Sequence, residues 1–202
     1  MALTILVTGF GRFPGVPVNP TGPLVRQLAR TVRLPCVKIT AHVFETSYDA
    51  VDSELPKLIA QHKPDVMLMF GLATRTRLVR VEALARNVVA LLPGVHGKLS
   101  QRHTIAPGAP ATRAMPAPTR ALLAALRAAH VPATLSHDAG GYLCNYLCWR
   151  ATEIVATAKG PKLAAFIHIP PVRFGARRRP TLGDLARGAG RVMTALAAAA
   201  RR

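Results

Sequence analysis

The sequence predicts an α/β fold in which helices cover both faces of a mostly parallel sheet, as three α/β/α layers. Strand-like and helix-like patterns alternate along all 202 residues. The run DVMLMF at Asp65–Phe70 is almost entirely apolar, which is typical of a strand buried on both faces. We find no internal repeat and no linker, and half of the residues are hydrophobic. We therefore expect a single domain over residues 1–202.

Six segments have the composition of strands, being rich in β-branched and other apolar residues. They are Leu3–Thr8, Pro35–Val43, Asp65–Phe70, Val79–Leu92, Val131–Ser136 and Leu163–Ile169. The carboxyl ends of parallel strands form one edge of the sheet, where sites of such folds lie. We therefore expect the functional residues to lie in or beside the loops that follow these strands.

Helical patterns lie between the strands. They are a helix opened by Asn19 as N-cap and Pro20 in its first turn, then Thr46–Gln61, Thr119–Ala129, Tyr142–Thr157 and a last helix. Thr181 and Asp184 have the spacing of a capping box for that last helix. The segment Gly94–Pro118 is rich in Gly, Pro, His and basic residues, so we predict a long surface loop there.

The composition limits the function and the compartment. The net charge is +18, but 21 of the 27 basic residues are arginines scattered along the chain with few aromatics between them, so nucleic-acid binding is not favoured. No apolar run reaches the length of a membrane span, and the amino terminus resembles a strand rather than a signal peptide. Three cysteines give no disulfide framework, so a reducing cytoplasm is expected.

Cys144 is the candidate nucleophile. It follows the turn at Gly140 and Gly141 and falls in the first turn of a predicted helix. Free backbone N–H groups and the positive end of the helix dipole favour a thiolate there, and the same N–H groups could hold an oxyanion. The spacing is also that of a helical core stripe with Cys148, so a buried, inert thiol is the alternative.

His168 and Glu82 are the candidate partners of that thiol. His168 lies inside an apolar strand near its end, where an imidazole could take a proton from the thiol and later donate it to a leaving amine. Glu82 is one of only nine acidic residues and could orient the imidazole. The alternatives are a structural histidine and a surface ion pair of Glu82 with Arg80 or Arg86. A zinc site of Cys144, Cys148 and His168 is a weaker hypothesis because no second cysteine pair exists.

Five segments in order resemble the type I pyroglutamyl peptidases, also called pyrrolidone-carboxylate peptidases. They are ILVTGFGRFPGVPVNP (Ile5–Pro20), PDVMLMFGLA (Pro64–Ala73), RVEALARN (Arg80–Asn87), AGGYLCNYL (Ala139–Leu147) and FIHIP (Phe166–Pro170). By this resemblance Cys144 is the nucleophile, His168 the base and Glu82 the acid that orients it. The implied reaction removes an amino-terminal 5-oxoproline from peptides, without cofactor or metal.

The resemblance also implies the substrate contacts. Phe10, Phe13, Tyr142 and Leu143 would line a pocket for the lactam ring. Backbone near Gly71 and Leu72 would bind the lactam amide. A neutral lactam requires a small apolar pocket with a few fixed polar partners, which agrees with these residues. Dimers or tetramers are implied in the same way.

The sequence departs from the family pattern in three places. A family arginine is replaced at Leu92; Gly11, Arg12 and Pro14 change the amino-terminal loop; and Pro171–Phe174 lacks the usual motif. A lost charged donor at an oxyanion could cost on the order of 10²–10³ in rate, unless Arg80 or Arg86 substitutes for it. Two alternatives therefore stay open: an amidase acting on another small acyl or lactam substrate, and a catalytically inactive relative that binds an anionic partner.

Overall fold

The structure is a computed structural model that describes residues 2–13, 15–89, 104–157, 160–172 and 180–202. Within these ranges the strands are β1 (Leu3–Phe10), β2 (Val37–Phe44), β3 (Val66–Leu72), β4 (Val79–Glu82), β5 (Leu84–Arg86), β6 (Thr112–Ala114), β7 (Ala133–Ser136) and β8 (Leu163–Ile169). The helices are α1 (Thr21–Thr31), α2 (Tyr48–His62), α3 (Thr119–Ala128), α4 (Leu143–Val155) and α5 (Leu182–Ala200).

Six of these strands form one sheet in the order β2-β1-β3-β8-β4-β7. All neighbours are parallel except β4, which runs antiparallel to β8. Helices α1, α3 and α5 pack on one face of the sheet, and α2 and α4 pack on the other. The predicted three-layer fold with a mostly parallel sheet is confirmed; the single-domain assignment stays a prediction.

The buried strands explain why the sheet lies at the centre. Residues Val66–Phe70 of β3 have at most 2% exposure, because side chains on both faces are covered by helices. The predicted capping box at the start of α5 is present, with Thr181 Oγ1 accepting from Asp184 N and the Asp184 carboxylate accepting from Thr181 N. No helix in the described ranges is long and apolar enough to cross a membrane.

The predicted start of α1 was wrong by one residue. Pro20 is the N-cap and makes no side-chain cap bond, while Asn19 acts from the preceding position. Asn19 Oδ1 accepts hydrogen bonds from Thr21 N and Thr21 Oγ1, at 3.1 and 2.8 Å. An Asx side chain bonding to the backbone two residues onward replaces the ordinary cap.

The continuous strand predicted at Val79–Leu92 is two short strands, and its end lies outside the described residues. The chain leaves the main sheet at Ala83, whose N–H bonds to Ser136 O and whose carbonyl accepts from Met115 N. As a result β5 pairs with β6 in a second, two-stranded sheet. Residues 94–103 of the predicted surface loop lie outside the described residues. The loop prediction is wrong over Thr112–Ala114, which form a strand, and Ile105 and Met115 in the same segment are buried.

Candidate active site

Strand register places the candidate imidazole at the centre of the sheet's carboxyl edge. His168 pairs with Gly71 on β3 and with Arg80 on β4. Strands β1, β3 and β8 end nearby, at Phe10, Leu72 and Ile169. The loops that leave this edge therefore surround His168.

Cys144 is the second residue of α4 and lies in its first turn, as the sequence predicts. Gly140 has φ +85°, which a side chain would disfavour, and the turn leads through Gly141 into the helix. The N-cap residue Tyr142 makes no side-chain cap bond, so its side chain leaves the first N–H groups of the helix uncapped. The side chain of Cys144 is partly exposed, whereas Cys148 one turn later is fully buried.

Gly71 makes room for the thiol. A Cβ added to Gly71 would lie 2.7 Å from Cys144 Sγ and 2.8 Å from Phe166 Cζ. Such distances are well inside van der Waals contact, so only glycine lets β3 pass this close beneath the sulfur. Gly71 lies within strand β3, which continues two residues beyond the strand predicted at Asp65–Phe70.

Glu82 and His168 form a buried pair. Both are buried, with Glu82 at 0% and His168 at 5% exposure. The Nδ1–H of His168 donates to Glu82 Oε1 at 2.8 Å, which leaves Nε2 for the Cys144 thiol, its other side-chain hydrogen-bond partner. The structure thus brings together the three side chains singled out from the sequence.

The charges of these groups keep the imidazole protonated. Burial lowers the pKa of His168, but the electrostatic interaction with Cys144 and hydrogen bonds with Cys144 and Glu82 more than offset burial and raise that pKa to about 9. A protonated imidazole next to Cys144 can donate its Nε2 proton, which is the role of the acid partner of a cysteine nucleophile. By contrast, burial raises the pKa of the Cys148 thiol well above its ordinary value, so Cys148 stays a neutral thiol.

Arg80 supports Glu82 from the same strand, two residues before it. Its Nε lies 3.3 Å from Glu82 Oε1, and its Nη2 donates to Ser136 Oγ and to the Asp138 carbonyl. Glu82 therefore does form an ion pair with Arg80, but the carboxylate is buried, whereas the alternative from the sequence was a surface ion pair. Glu82 Oε2 has no hydrogen-bond partner among the described residues, so Arg80 and His168 are the carboxylate's partners there.

Asn145 was missed as a functional candidate, although it follows Cys144 in one of the quoted segments. It is fully buried, and its Nδ2 donates to the carbonyls of Arg86 and Val88 at 2.8 and 3.0 Å. Its Oδ1 accepts from Arg86 N at 2.8 Å. These three bonds fix the start of α4, and with it Cys144, to the end of β5.

A cavity of about 200 Å³ opens in front of the thiol. Its walls include Phe10, Phe13, Leu72, Tyr142, Leu143, Cys144 and His168, with Asn19 and Thr46 supplying polar atoms. Every residue that the resemblance assigned to substrate binding is in this wall except Gly71, which lies beneath the sulfur.

Hydrogen bonds hold the loop that carries Phe13. The single O–H of Thr46 is shared between the carbonyls of Gly11 and Arg12, at 3.3 and 3.1 Å, and Asn19 Nδ2 donates to Gly11 O at 2.9 Å. Phe13 also forms a bridge with Val16. Neither Thr46 nor Asn19 was identified from the sequence as a support of this wall.

The arginines considered as substitutes for the lost family arginine are engaged elsewhere. Arg86 pairs with Asp138 at 2.8 Å, and Arg80 pairs with Glu82. Leu92, the position of the replacement, and Arg173 and Phe174 after the last strand lie outside the described residues. Within the described ranges no cluster of three or more His, Cys, Asp or Glu side chains has the arrangement of a metal site.

Known proteins share both this sequence pattern and this fold. The sequence profile of the pyroglutamyl peptidase family matches residues 3–200. The pyrrolidone-carboxylate peptidase of Pyrococcus furiosus is 31% identical over 169 residues, which cover 83% of this chain and 81% of that protein. The enzyme of the same name from Gloeobacter violaceus is 32% identical over 179 residues, covering 88% and 86% of the two chains.

Solved structures agree over nearly the whole length. A point mutant of the pyrrolidone carboxyl peptidase of Pyrococcus furiosus superposes with a TM-score of 0.89 at 25% identity, covering 98% of this chain and 99% of that one. The pyrrolidone carboxyl peptidase of Thermococcus litoralis gives 0.89 at 26% identity, covering 97% and 94%. The resemblance found from five segments thus extends over almost all of the sequence and the fold, and this chain belongs to the pyroglutamyl peptidase family of cysteine peptidases.

Proposed function

We propose that this protein removes an amino-terminal 5-oxoproline from peptides through a thioester formed on Cys144. The observation that carries the proposal is the chain of contacts from Glu82 through His168 to Cys144, which opens onto a small, mostly apolar cavity. Membership of the family supplies the reaction class, cysteine-peptidase hydrolysis of a pyroglutamyl amide.

The cavity selects the lactam ring. At about 200 Å³ it is smaller than the ~300–1,000 Å³ typical of drug-sized ligands, so it suits one small ring better than a long side chain. Phe10, Phe13 and Tyr142 offer apolar faces to the ring's methylenes. The lactam amide forms hydrogen bonds with the backbone at Leu72 and with polar atoms of Asn19 or Thr46.

Acylation begins from the thiolate–imidazolium pair. The Cys144 sulfur attacks the carbonyl carbon that joins 5-oxoproline to the next residue, and the carbonyl oxygen takes the negative charge. The uncapped N–H groups at the start of α4 are the donors nearest the sulfur along the chain, and they stabilise that oxyanion. His168 Nε2–H then protonates the leaving nitrogen, the C–N bond breaks, and a thioester remains on Cys144.

Deacylation uses the same groups in reverse. Neutral His168 takes a proton from water, and the resulting hydroxide attacks the thioester carbon. The C–S bond breaks, 5-oxoproline leaves, and the thiolate–imidazolium pair is restored. Glu82 holds the ring by its Nδ1–H throughout, and Arg80 compensates the charge of the buried carboxylate.

The direct test is hydrolysis of a pyroglutamyl aminomethylcoumarin amide. We expect turnover by the wild type, loss of at least about 10³-fold in Cys144→Ser, and wild-type rates in Cys36→Ser, which changes an exposed thiol outside the site. A Cys144→Ser protein that retained the wild-type rate would contradict the proposal.

Two further measurements separate the alternatives. Turnover of an acetyl or prolyl amide in preference to the pyroglutamyl amide would favour a divergent amidase. A Cys144 that iodoacetamide does not alkylate faster than Cys36, together with no turnover of any amide, would favour an inactive binding relative.

The cellular setting belongs to the same proposal. Cys36, Cys144 and Cys148 are all free thiols, which suits a reducing compartment such as the cytoplasm. We also propose, by the family likeness, that copies associate as dimers or tetramers. Sedimentation velocity on the purified protein would test this, with a sharp monomer boundary at micromolar concentration as the contrary result.

A further inference from the structure

A second cavity lies beside the first and shares its central wall. It has a volume of about 370 Å³, and it meets the smaller cavity along Leu72, Ala139, Gly140 and His168. Because His168 must protonate the leaving nitrogen, the leaving peptide has to pass close to its ring. The larger cavity shares that ring but not Phe10 or Phe13, and it is therefore placed to receive the residue after 5-oxoproline.

The charged side chains of this second cavity are mostly basic. Arg75 and Arg80 line it, and Asp138 is the carboxylate in its wall. Asp138 is already held by Arg86 at 2.8 Å and by the N–H of Gly140 at 2.9 Å. Burial would raise the pKa of Asp138, but these hydrogen bonds and the nearby arginines outweigh it and lower that pKa, so Asp138 stays ionised and paired.

Arg75 is left as the free cation. Arg80 pairs with Glu82, and His168 is held by Glu82 and Cys144, so neither of these two groups is open to a ligand carboxylate. Arg75 is exposed, and no carboxylate partner for it occurs in the described part of the chain. A guanidinium with open donors binds a carboxylate in a bidentate, charge-assisted pair.

We propose that this cavity is the subsite for the leaving side of the peptide, and that Arg75 makes it prefer an acidic residue directly after 5-oxoproline. The inference rests on the proposed function and specifies the substrate class of the same site. Because Arg75 is solvent-exposed, the preference is modest and sensitive to salt, about two- to fivefold in kcat/KM.

The test compares two peptide amides of matched shape, pyroglutamyl-Glu-amide and pyroglutamyl-Gln-amide, with a blocked carboxyl terminus so that the side chain carries the difference. Wild type should cleave the Glu peptide about two- to fivefold more efficiently at low ionic strength, and the ratio should approach one in ~0.5 M salt. Arg75→Gln should bring the ratio to about one at low salt. Arg75→Glu should disfavour the Glu peptide and favour a peptide with lysine at the same position.

Arg77→Gln is the matched control. Arg77 is exposed in the same loop and does not line the cavity, so this variant removes the same net charge while leaving the subsite intact. Equal cleavage of the Glu and Gln peptides by wild type at low salt would overturn the proposal. It would also be overturned if Arg75→Gln preferred the Glu peptide as strongly as Arg77→Gln does.

A binding measurement separates this inference from the proposed function. Calorimetry with Cys144→Ala measures the affinity for both peptides without turnover. Tighter binding of the Glu peptide, lost on adding Arg75→Gln, would support the subsite even if wild type hydrolysed no pyroglutamyl amide. Active wild type with no preference in either measurement would leave the proposed function standing and refute the subsite.

Discussion

Replacing Glu82 by glutamine tests the charge relationship on which the proposed chemistry depends. The change keeps the size and shape of the side chain and removes its charge. Glu82 Oε1 lies 2.8 Å from His168 Nδ1, and neither side chain has appreciable solvent around it. Water therefore screens this interaction little, and the loss of charge should act almost entirely on the imidazole.

The size of the effect follows from the pKa of His168. That pKa is raised from 6.5 to about 9, a difference that corresponds to about 3 kcal/mol of preference for the imidazolium. Contacts with Cys144 supply part of this preference and Glu82 the rest. We therefore expect Glu82→Gln to remove about 1–3 kcal/mol, which lowers kcat/KM by about 5- to 160-fold at neutral pH.

The pH profile gives the sign of the effect. Because the pKa of His168 in the folded protein lies above its ordinary value, the imidazolium is present at neutral pH and is lost as pH rises through about 9. Wild-type activity should fall over that range, since neutral His168 cannot protonate the leaving nitrogen. In Glu82→Gln the pKa of His168 should move toward its ordinary value of 6.5, so the activity should begin to fall at lower pH.

The assay is kcat/KM for the pyroglutamyl amide from about pH 5 to about pH 10. Glu54→Gln is the matched control, because Glu54 also contacts a histidine, His42 Nε2, at 2.6 Å, but outside the site. It should leave the rate and the profile unchanged. Wild-type rates in Glu82→Gln, together with an unchanged pH at which its activity falls, would contradict this role of the Glu82 charge.

Misfolding of the variant is the competing explanation, because Glu82→Gln leaves a buried amide facing Arg80. Thermal unfolding followed by circular dichroism checks this directly. Glu82→Asp provides a second measure: it keeps the charge and retracts it, so the rate should fall while the alkaline limb stays closer to that of wild type. If the activity of Glu82→Asp fell at the same lowered pH as that of Glu82→Gln, the result would contradict the role of the charge.

Three other substitutions test positioning. Gly71→Ala should lower kcat by roughly 10²-fold, because the new Cβ would lie 2.7 Å from Cys144 Sγ, whereas Gly190→Ala, whose Cβ meets its nearest neighbour at 3.9 Å, should be active; equal rates would contradict the close approach. Asn145→Ala should lower the free energy of unfolding by about 2–4 kcal/mol in urea titration, since it removes three buried bonds; a change below ~0.5 kcal/mol would contradict it. Phe13→Ala should raise KM for the pyroglutamyl amide about tenfold with a smaller change in kcat; an unchanged KM would place the lactam elsewhere.

The alternation of apolar patterns was enough to predict the layered fold. The doubly buried run at Asp65–Phe70 and the short strand at Leu163–Ile169 both lie in the centre of the sheet. Such patterns are local consequences of burial, so they can be recognised in the amino-acid sequence. The sequence also singled out Cys144, His168 and Glu82, because a thiol at a helix start, an imidazole in an apolar strand and a rare carboxylate each stand out from their surroundings.

Where the local pattern was ambiguous, long-range pairing decided the structure. Val79–Leu92 has one continuous strand-like composition, yet Ala83 bonds to Ser136 on one side and Met115 on the other, so the chain passes from one sheet to another. The three residues Thr112–Ala114 form a strand only because β5 lies beside them. No property of these short segments alone distinguishes them from a loop.

Sequence alone was sufficient for the class of fold, the family and the three candidate reactive side chains. Each of these can be recognised from the types of a few residues that are neighbours along the chain. Tertiary structure decided how those side chains are held: Arg80 beside Glu82, Asn145 fixing the start of α4, and the absence of a side chain at Gly71 beneath the sulfur. Most of these contacts join residues that are far apart along the chain. The physical reason is that a charge or a hydrogen bond acts over a few ångströms of space, whatever the separation in sequence.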